Sequence, residues 1–338
     1  MLEGIGLEPS MARAATAADA LLGRVARVDR GTVSVLTDAG LQRASLGGGV
    51  LATMAADPTL APCTGDWCVL RRWPDHRVTL EQLLARRTAV VRRAAGRQGH
   101  GQVLCANADI VALVVALEPL PRLARVERLV ALAWQSGAQP LVVLTKSDLA
   151  PDADQVADDV AEAVPDVDVL VVSVRTGRGL DLLGERLDGG LTMALLGASG
   201  HGKSSLANAL LGAQRLATRE IREDGRGRHT TVRRELVPLP AGGAVIDTPG
   251  LRGLGLLASE AGLARTFADI EELARGCRFG DCAHDRESGC RVREAVSTGD
   301  LPQRRLEAWQ HLQRELRWAT KRRAEGRRGR AGRDRSWR

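Results

Sequence analysis

The hydrophobic pattern changes character near residue 80. Before that point apolar and polar residues alternate in short runs. Gly23 to Val28 alternates, Asp29-Arg30-Gly31 reads as a turn, and Thr32 to Leu36 alternates again. A polar loop rich in Gly47, Gly48 and Gly49 follows, and then Asp66 to Leu70 and Arg77 to Leu80 repeat the pattern. A period of two gives strands with one face in a core. Four or five such strands over residues 21–80 predict a small barrel of the oligonucleotide-binding (OB) type.

Farther on, the apolar runs are nearly unbroken. Asp109 to Leu117 reads as a fully buried strand, as in a parallel sheet, Pro140 to Leu144 and Leu191 to Leu196 read as buried strands, and Val167 to Val172 and Ala244 to Ile246 read as strands. Leu123 to Ser136 and Ser205 to Leu211 have helical spacing, with Gly212 as a stop. Residues 86–101 read as a basic connector. The predicted class is multidomain α/β, with a mostly parallel sheet domain over 81–262 and a small helical domain over 263–302. From 303 to 338 a basic amphipathic helix, Arg304 to Arg323, runs into an Arg-rich tail expected to be disordered. Its Leu306, Trp309, Leu312 and Leu316 share one face, which predicts packing. Residues 1–20 lack periodicity and are expected to be disordered.

Composition narrows the class. The 338 residues are 44% hydrophobic but only 2% aromatic, so the cores are built of Leu, Val and Ala. No run of ~18 uncharged apolar residues appears, and the first residues lack a secretory pattern. A cytoplasmic protein without a membrane partner is expected. The net charge is +7. Residues 303–338 hold 13 Lys and Arg against 4 Asp and Glu, a surplus of nine that leaves −2 for the rest. Such a basic end suits a phosphate backbone. Arg24, Arg27, Arg30, Arg71, Arg72 and Arg77 are the barrel's candidates for RNA. Cys63 and Cys68 have no partner ligands nearby and read as core.

The chemistry gathers around Gly197 to Ser205, GASGHGKSS. It fits G-x-x-x-x-G-K-[ST], follows a strand and opens a helix. The backbone of Gly197, Ala198, Ser199, Gly200, His201 and Gly202 can wrap a polyphosphate, with Lys203 on the β- and γ-phosphates and Ser204, next to Ser205, on Mg²⁺. Thr145-Lys146-Ser147-Asp148 ends an earlier buried strand, where α/β ligands bind. A carboxylate at Asp148 pairs with guanine N1–H and N2–H₂ and finds no such donor pair on adenine. Lys146 can lie across the purine. Thr145, where many GTPases carry Asn, is expected to weaken base-side hydrogen bonding. Ser173, opening Ser173-Val174-Arg175-Thr176-Gly177, is placed to serve the guanine carbonyl. Thr230 and Thr231 in Gly225-Arg226-Gly227-Arg228-His229-Thr230-Thr231 fit a loop that closes on Mg²⁺ and the γ-phosphate. Asp247-Thr248-Pro249-Gly250 fits D-x-x-G, with Asp247 near Mg²⁺ and the Gly250 N–H at the γ-phosphate. The base motif precedes the phosphate loop, the reverse of the ordinary GTPase order, so the domain reads as circularly permuted. Leu251 stands where many GTPases carry Gln and cannot orient a water. Slow hydrolysis follows, and His229 is the in-chain candidate to position the nucleophile.

Cys277-x4-Cys282-x-His284-x5-Cys290 gives three thiolates and an imidazole, the donor set of one structural Zn²⁺. With the barrel, the permuted order and this knuckle, the chain resembles the RsgA (YjeQ) family of bacterial small-subunit-dependent GTPases from about Leu21 to Trp318. Pro62-Cys63-Thr64-Gly65-Asp66-Trp67, Gly101-Gln102-Val103-Leu104 and Gly227-Arg228-His229-Thr230-Thr231 are further family-like segments. The resemblance implies a slow GTPase, stimulated by the small ribosomal subunit, that binds its rRNA late in maturation and helps release assembly factors, acting as a monomer. It places GTP on Thr145–Asp148 and Gly197–Ser205, and Zn²⁺ on the three cysteines and His284. The alternatives are a nucleotide-gated RNA-binding module whose hydrolysis is incidental, and a GTPase acting on another RNA. An ATPase or kinase is opposed by TKSD.

Overall fold

The computed structural model describes residues 1–8, 11, 19–93, 101–213, 216, 234–250 and 259–334. Alternating residues near the start form β1 (Ala20–Asp29), β2 (Thr32–Thr37), β4 (Trp67–Arg72) and β5 (Val78–Leu83). The polar loop expected between them holds two more elements, β3 (Gly40–Leu46) and a helix α1 (Gly48–Ala56). The strands close a barrel in the order β1-β2-β3-β5-β4, the short parallel pairing of β3 with β5 completing it. Val25, Val33, Val35, Cys68, Leu70 and Leu80 fill it, and Val50 of α1 caps one end. Strand β3 escapes a pattern reading because, of its seven residues, only Ala44 is fully buried.

The expected basic connector also contains structure. Strands β6 (Ala89–Arg93) and β7 (Gly101–Ala106) pair as an antiparallel ribbon. Then come β8 (Ile110–Ala116), α2 (Leu123–Gln135), β9 (Gln139–Thr145), α3 (Ala153–Ala163), β10 (Asp168–Val171), α4 (Leu180–Glu185), β11 (Thr192–Leu196), α5 (Lys203–Leu211), β12 (Glu235–Pro238) and β13 (Ala244–Asp247). They make one sheet, β10-β9-β8-β11-β13-β12, parallel except for the edge strand β12. Every residue of β8 and β11 is buried, as their unbroken apolar runs require for a sheet covered on both faces. From β8 the chain moves outward to β9 and β10, then returns to the other side as β11. That reversal opens a crevice between the carboxyl ends of β8 and β11, the place where such sheets bind ligands.

The barrel is fixed to this sheet by Arg24, which the sequence suggested as an RNA contact. It is 1% exposed. Its guanidinium donates to Asn107 O (2.7 Å), Thr192 Oγ1 (2.7 Å), Gly65 O (3.3 Å) and Ile5 O, and lies over the Trp67 ring. Burial pulls its pKa down to about 10. Beside it, buried Asp66 takes a two-pronged pair from Arg86, at 2.7 and 2.8 Å. Residues 1–8 are not a disordered start. Glu3–Ile5 make a helical turn whose Leu2 and Ile5 are buried, and a turn that short leaves no period in the sequence.

The last domain holds α6 (Glu260–Thr266), α7 (Ala268–Ala274), α8 (Arg291–Thr298) and α9 (Gln303–Asp334). Leu306, Trp309 and Leu312 are buried with Phe267, Ile270 and Val292, so the apolar face of α9 packs as expected. The helix runs on to Asp334, through the segment expected to be disordered beyond Arg322. This domain docks on α2. Arg305, 2% exposed, donates to Asp269 Oδ1 (2.6 Å), Ala163 O (2.6 Å) and Thr266 O (2.9 Å), while Arg304 reaches Glu127 at 3.3 Å. Glu127 is fully buried, and burial raises its pKa despite both arginines. No helix among the described residues is long and apolar enough to cross a membrane.

Candidate functional site

The phosphate loop leaves β11 into the crevice and ends at the first turn of α5. Gly197 is pressed on the neighbouring strand, where a Cβ would stand 2.2 Å from Val114 O. Any side chain there would push the loop off β8. The next residues turn through positive φ at Gly200 (84°) and Gly202 (87°) and lead to the positive end of α5, where an anion is favoured. Lys203 is 6% exposed and folds over this turn, donating to Ala198 O at 2.8 Å and Gly197 O at 3.1 Å. Burial lowers its pKa, with Asp247 acting in the opposite sense. The ammonium therefore sits at the loop's mouth on two carbonyls, which a phosphate oxygen can replace.

Ser204 and Asp247 meet across the crevice floor. Ser204 Oγ donates to Asp247 Oδ2 at 2.6 Å. Asp247 is 8% exposed, and its Oδ1 is buried with no hydrogen-bond partner among the described residues. Burial raises its pKa, while Ser204 and Lys203 pull it down. A hydroxyl beside an orphaned carboxylate oxygen at the phosphate end is a donor set that fits Mg²⁺. Gly250, closing the Asp247-Thr248-Pro249-Gly250 turn, lies on the phosphate loop. A Cβ there would meet Ser199 N at 2.6 Å, so its backbone is packed against the loop too closely for any side chain.

At the other end of the crevice, β9 delivers Thr145, Lys146, Ser147 and Asp148. Lys146 turns the chain in the left-handed region, with φ 62°. Asp148 is half-buried and doubly engaged. Ser173 Oγ donates to its Oδ1 at 2.6 Å, and Arg175 Nε lies 2.9 Å from its Oδ2. The Ser173 bond is the main reason its pKa falls below the ordinary carboxylate value. Ser173 thus orients the carboxylate. Thr145 is 3% exposed and turns its hydroxyl to the phosphate loop, donating to His201 O at 2.8 Å. It ties the base end to the phosphate end rather than facing a base. Ser205 lies on α5 with Lys203 and Ser204. His229, Thr230, Thr231 and Leu251 lie outside the described residues.

The knuckle is assembled as its spacing suggested. One ligand atom from each of Cys277, Cys282, His284 and Cys290 lies within 4.8 Å of the others. His284 Nδ1 stands 3.4 Å from Cys290 Sγ and 3.6 Å from Cys277 Sγ. His284 adopts φ 57°, and Trp309 of α9 packs on its ring at 5.1 Å. Three thiols and an inward-facing imidazole fit a closed tetrahedral Zn²⁺ site.

Comparison with known proteins agrees with this architecture. A family model for the RsgA GTPase matches residues 83–257. The small ribosomal subunit biogenesis GTPase RsgA of Streptomyces coelicolor is 50% identical over 304 residues, 88% of this chain and 81% of its own length. The chain belongs to the RsgA GTPase family. The RsgA of Streptomyces avermitilis is also 50% identical, over 87% of this chain and 79% of its own. Among solved structures, YjeQ from Thermotoga maritima superposes with a TM-score of 0.63 at 25% identity, covering 88% of this chain and 98% of its own. YloQ, a circularly permuted GTPase, shares the fold with a TM-score of 0.61. This RsgA-family chain is a GTPase with the permuted motif order its sequence carries.

Two participants were not legible in advance. Arg175 faces Asp148 from the loop that supplies Ser173, and only its position two residues after the serine hinted at it. The ring of His201 reaches β8, which no motif indicates.

Proposed function

We propose that this chain hydrolyses GTP in the β8–β11 crevice and does so in the maturation of the small ribosomal subunit, in the cytoplasm. The observation that carries the site is the convergence of Asp148, Lys203, Ser204 and Asp247 on one crevice at the carboxyl ends of parallel strands. The names of the curated relatives support the process.

In this reading Asp148, oriented by Ser173, accepts both guanine donors once Arg175 swings aside. The loop amides and the α5 N-terminus hold the β- and γ-phosphates. Lys203 gives up its two carbonyls to neutralise charge growing on the transferred group. Ser204 and Asp247 would hold Mg²⁺, which would supply positive charge to the phosphates. The Gly250 amide, fixed against Ser199, takes a γ-oxygen. Thr230 and Thr231 close the site, and His229 orients the attacking water. Slow basal turnover raised by the small subunit follows from Leu251 and from a base supplied by a loop. Zn²⁺ on Cys277, Cys282, His284 and Cys290 holds the C-terminal domain, whose basic surface and α9 bind rRNA together with the barrel. Release of assembly factors is the coupled outcome. The working unit is a monomer with the β1–β5 barrel, a G domain from β6 to β13, a zinc domain from α6 to α8 and the basic helix α9.

GTP turnover with purified small subunits, with large subunits and with neither tests this. Small subunits should raise the rate well above basal, large subunits should not, and Lys203→Ala should abolish both rates. Equal rates in all three conditions would sink the small-subunit reading. Stable subunit binding and release by Lys203→Ala would instead favour an RNA-binding module with incidental hydrolysis.

A further inference from the structure

Where β11 turns out of the sheet to become the phosphate loop, β8 loses its neighbour. The pairing ends at Leu196 opposite Leu113. Alternate residues of a strand turn their backbone groups to opposite edges. Leu117 N–H bonds Thr145 O on the β9 side, so Ala116 N–H and Val114 C=O face the side that β11 has left. These are buried backbone groups, and leaving one without a partner is costly.

A side chain fills the gap. The His201 ring reaches back from the phosphate loop and sets Nδ1 3.3 Å from Ala116 N and 3.1 Å from Val114 O. With the ring proton on Nε2, Nδ1 accepts from Ala116 N–H. With it on Nδ1, the ring donates to Val114 C=O. Either tautomer extends the β8 ladder. Burial holds the ring's pKa below the usual histidine value, and Arg125, Lys203 and Lys146 nearby add to this while the Val114 contact opposes it. The same residue is gripped from the far side, where Thr145 Oγ1 donates to its carbonyl. That bond holds the loop to β9 at one backbone oxygen. The second tie, to β8, is the His201 ring.

We propose that His201 is a positioning residue for the nucleotide: its imidazole stands in for the missing ladder partner on β8 and, with Thr145 on its carbonyl, clamps the phosphate loop in its anion-binding shape. This rests on the reading of Gly197–Ser205 as the phosphate site. The ring is engaged with β8. Its effect is on how much of the free protein holds the loop ready, so it acts on nucleotide affinity and leaves the chemical step alone.

Three variants of the full chain test this by GDP binding and by GTP steady-state kinetics. His201→Val keeps bulk and removes the ring nitrogen. Its GDP Kd and GTP KM should rise about tenfold, the scale of one lost hydrogen bond, with kcat changed less than about twofold. His201→Asn places an amide near the Nδ1 position and should restore affinity to within about threefold. Lys203→Ala should abolish GDP binding. His201→Val binding like the parent overturns the clamp, and so does an equal loss in His201→Val and His201→Asn, which would mean the ring acts by volume alone. Retention of GDP binding by Lys203→Ala overturns the phosphate-site reading beneath it.

Discussion

Arg175 Nε lies 2.9 Å from Asp148 Oδ2, so the carboxylate that would read guanine is covered by an arginine from its own neighbouring loop. Arg175 is 73% exposed, and such a pair contributes little in water. The arginine competes with the base for Asp148. Arg175→Ala should raise GDP affinity by up to about fivefold, the scale of an exposed ion pair. Fluorescence titration with a labelled GDP reads this, and a weaker complex would mean that Arg175 contacts the nucleotide.

Asp148→Asn tests base recognition. An amide cannot accept two guanine donors, but it can donate to the extra carbonyl of xanthine. Two hydrogen bonds to a charged group are at stake, so GTP affinity should fall about 10²-fold or more while xanthosine triphosphate gains. Parallel loss of both nucleotides would point to collapse of the loop through Ser173 rather than lost base reading.

Asp247 with its orphaned Oδ1 should matter only when Mg²⁺ is present. Asp247→Asn keeps the bond to Ser204 and removes the charge. Turnover should drop by about 10²-fold or more, since charge neutralisation is most of phosphoryl-transfer catalysis. GDP binding measured in chelator should match the parent protein, and Mg²⁺ should no longer tighten it.

The six cysteines should separate into two classes. Burial pushes the Cys63 thiol up to about 12 and raises those of Cys68 and Cys105 as well. They form little thiolate at neutral pH and are shielded. After strong chelation a maleimide should modify Cys277, Cys282 and Cys290 and spare the other three until the protein is denatured. Peptide mass mapping decides it. The same chelation should lower the unfolding temperature, because Cys277, Cys282 and Cys290 belong to the C-terminal core.

Arg305→Ala should cost ~3–5 kcal/mol, since it takes a buried guanidinium from Asp269, leaves buried Glu127 with Arg304 alone, and leaves Ala163 O and Thr266 O unpaired. Hydrogen exchange should rise in α2 and α6 together. Exchange confined to α9 would mean the two domains are held by apolar contact alone.

The base and phosphate motifs were legible because each is a short contiguous segment at a strand end, where residue type and spacing encode the chemistry. Gly197 to Ser205 leaves β11, Thr145 to Asp148 leaves β9, and the four ligand atoms of the Cys277–Cys290 knuckle gather within 4.8 Å. The joints were not. Arg24 looked like a surface arginine, and the atoms that bury it lie as far as 168 residues away, at Thr192. The ring of His201 meets β8 across 85 residues, at Ala116. Thr145 was expected to weaken the base side, yet its hydroxyl serves a carbonyl 56 residues later. Period and propensity carry no trace of such pairings. Strand β3 and the β6–β7 ribbon were missed for a local reason: Gly, Arg and Gln occupy positions where a half-exposed strand shows little alternation.

The docking of α9 on α2 has a consequence for how the molecule is made. Glu127 and Arg128 meet Arg304 and Glu315, which follow them by 177 and 187 residues. A chain growing at roughly 5–20 residues per second leaves them waiting on the order of ten to thirty seconds. For that interval the newborn G domain presents an open face with a carboxylate at its centre that its own later helices must cover. Helix α9 thus seals a face of α2 laid down long before it, which makes synthesis through α9 a checkpoint in folding.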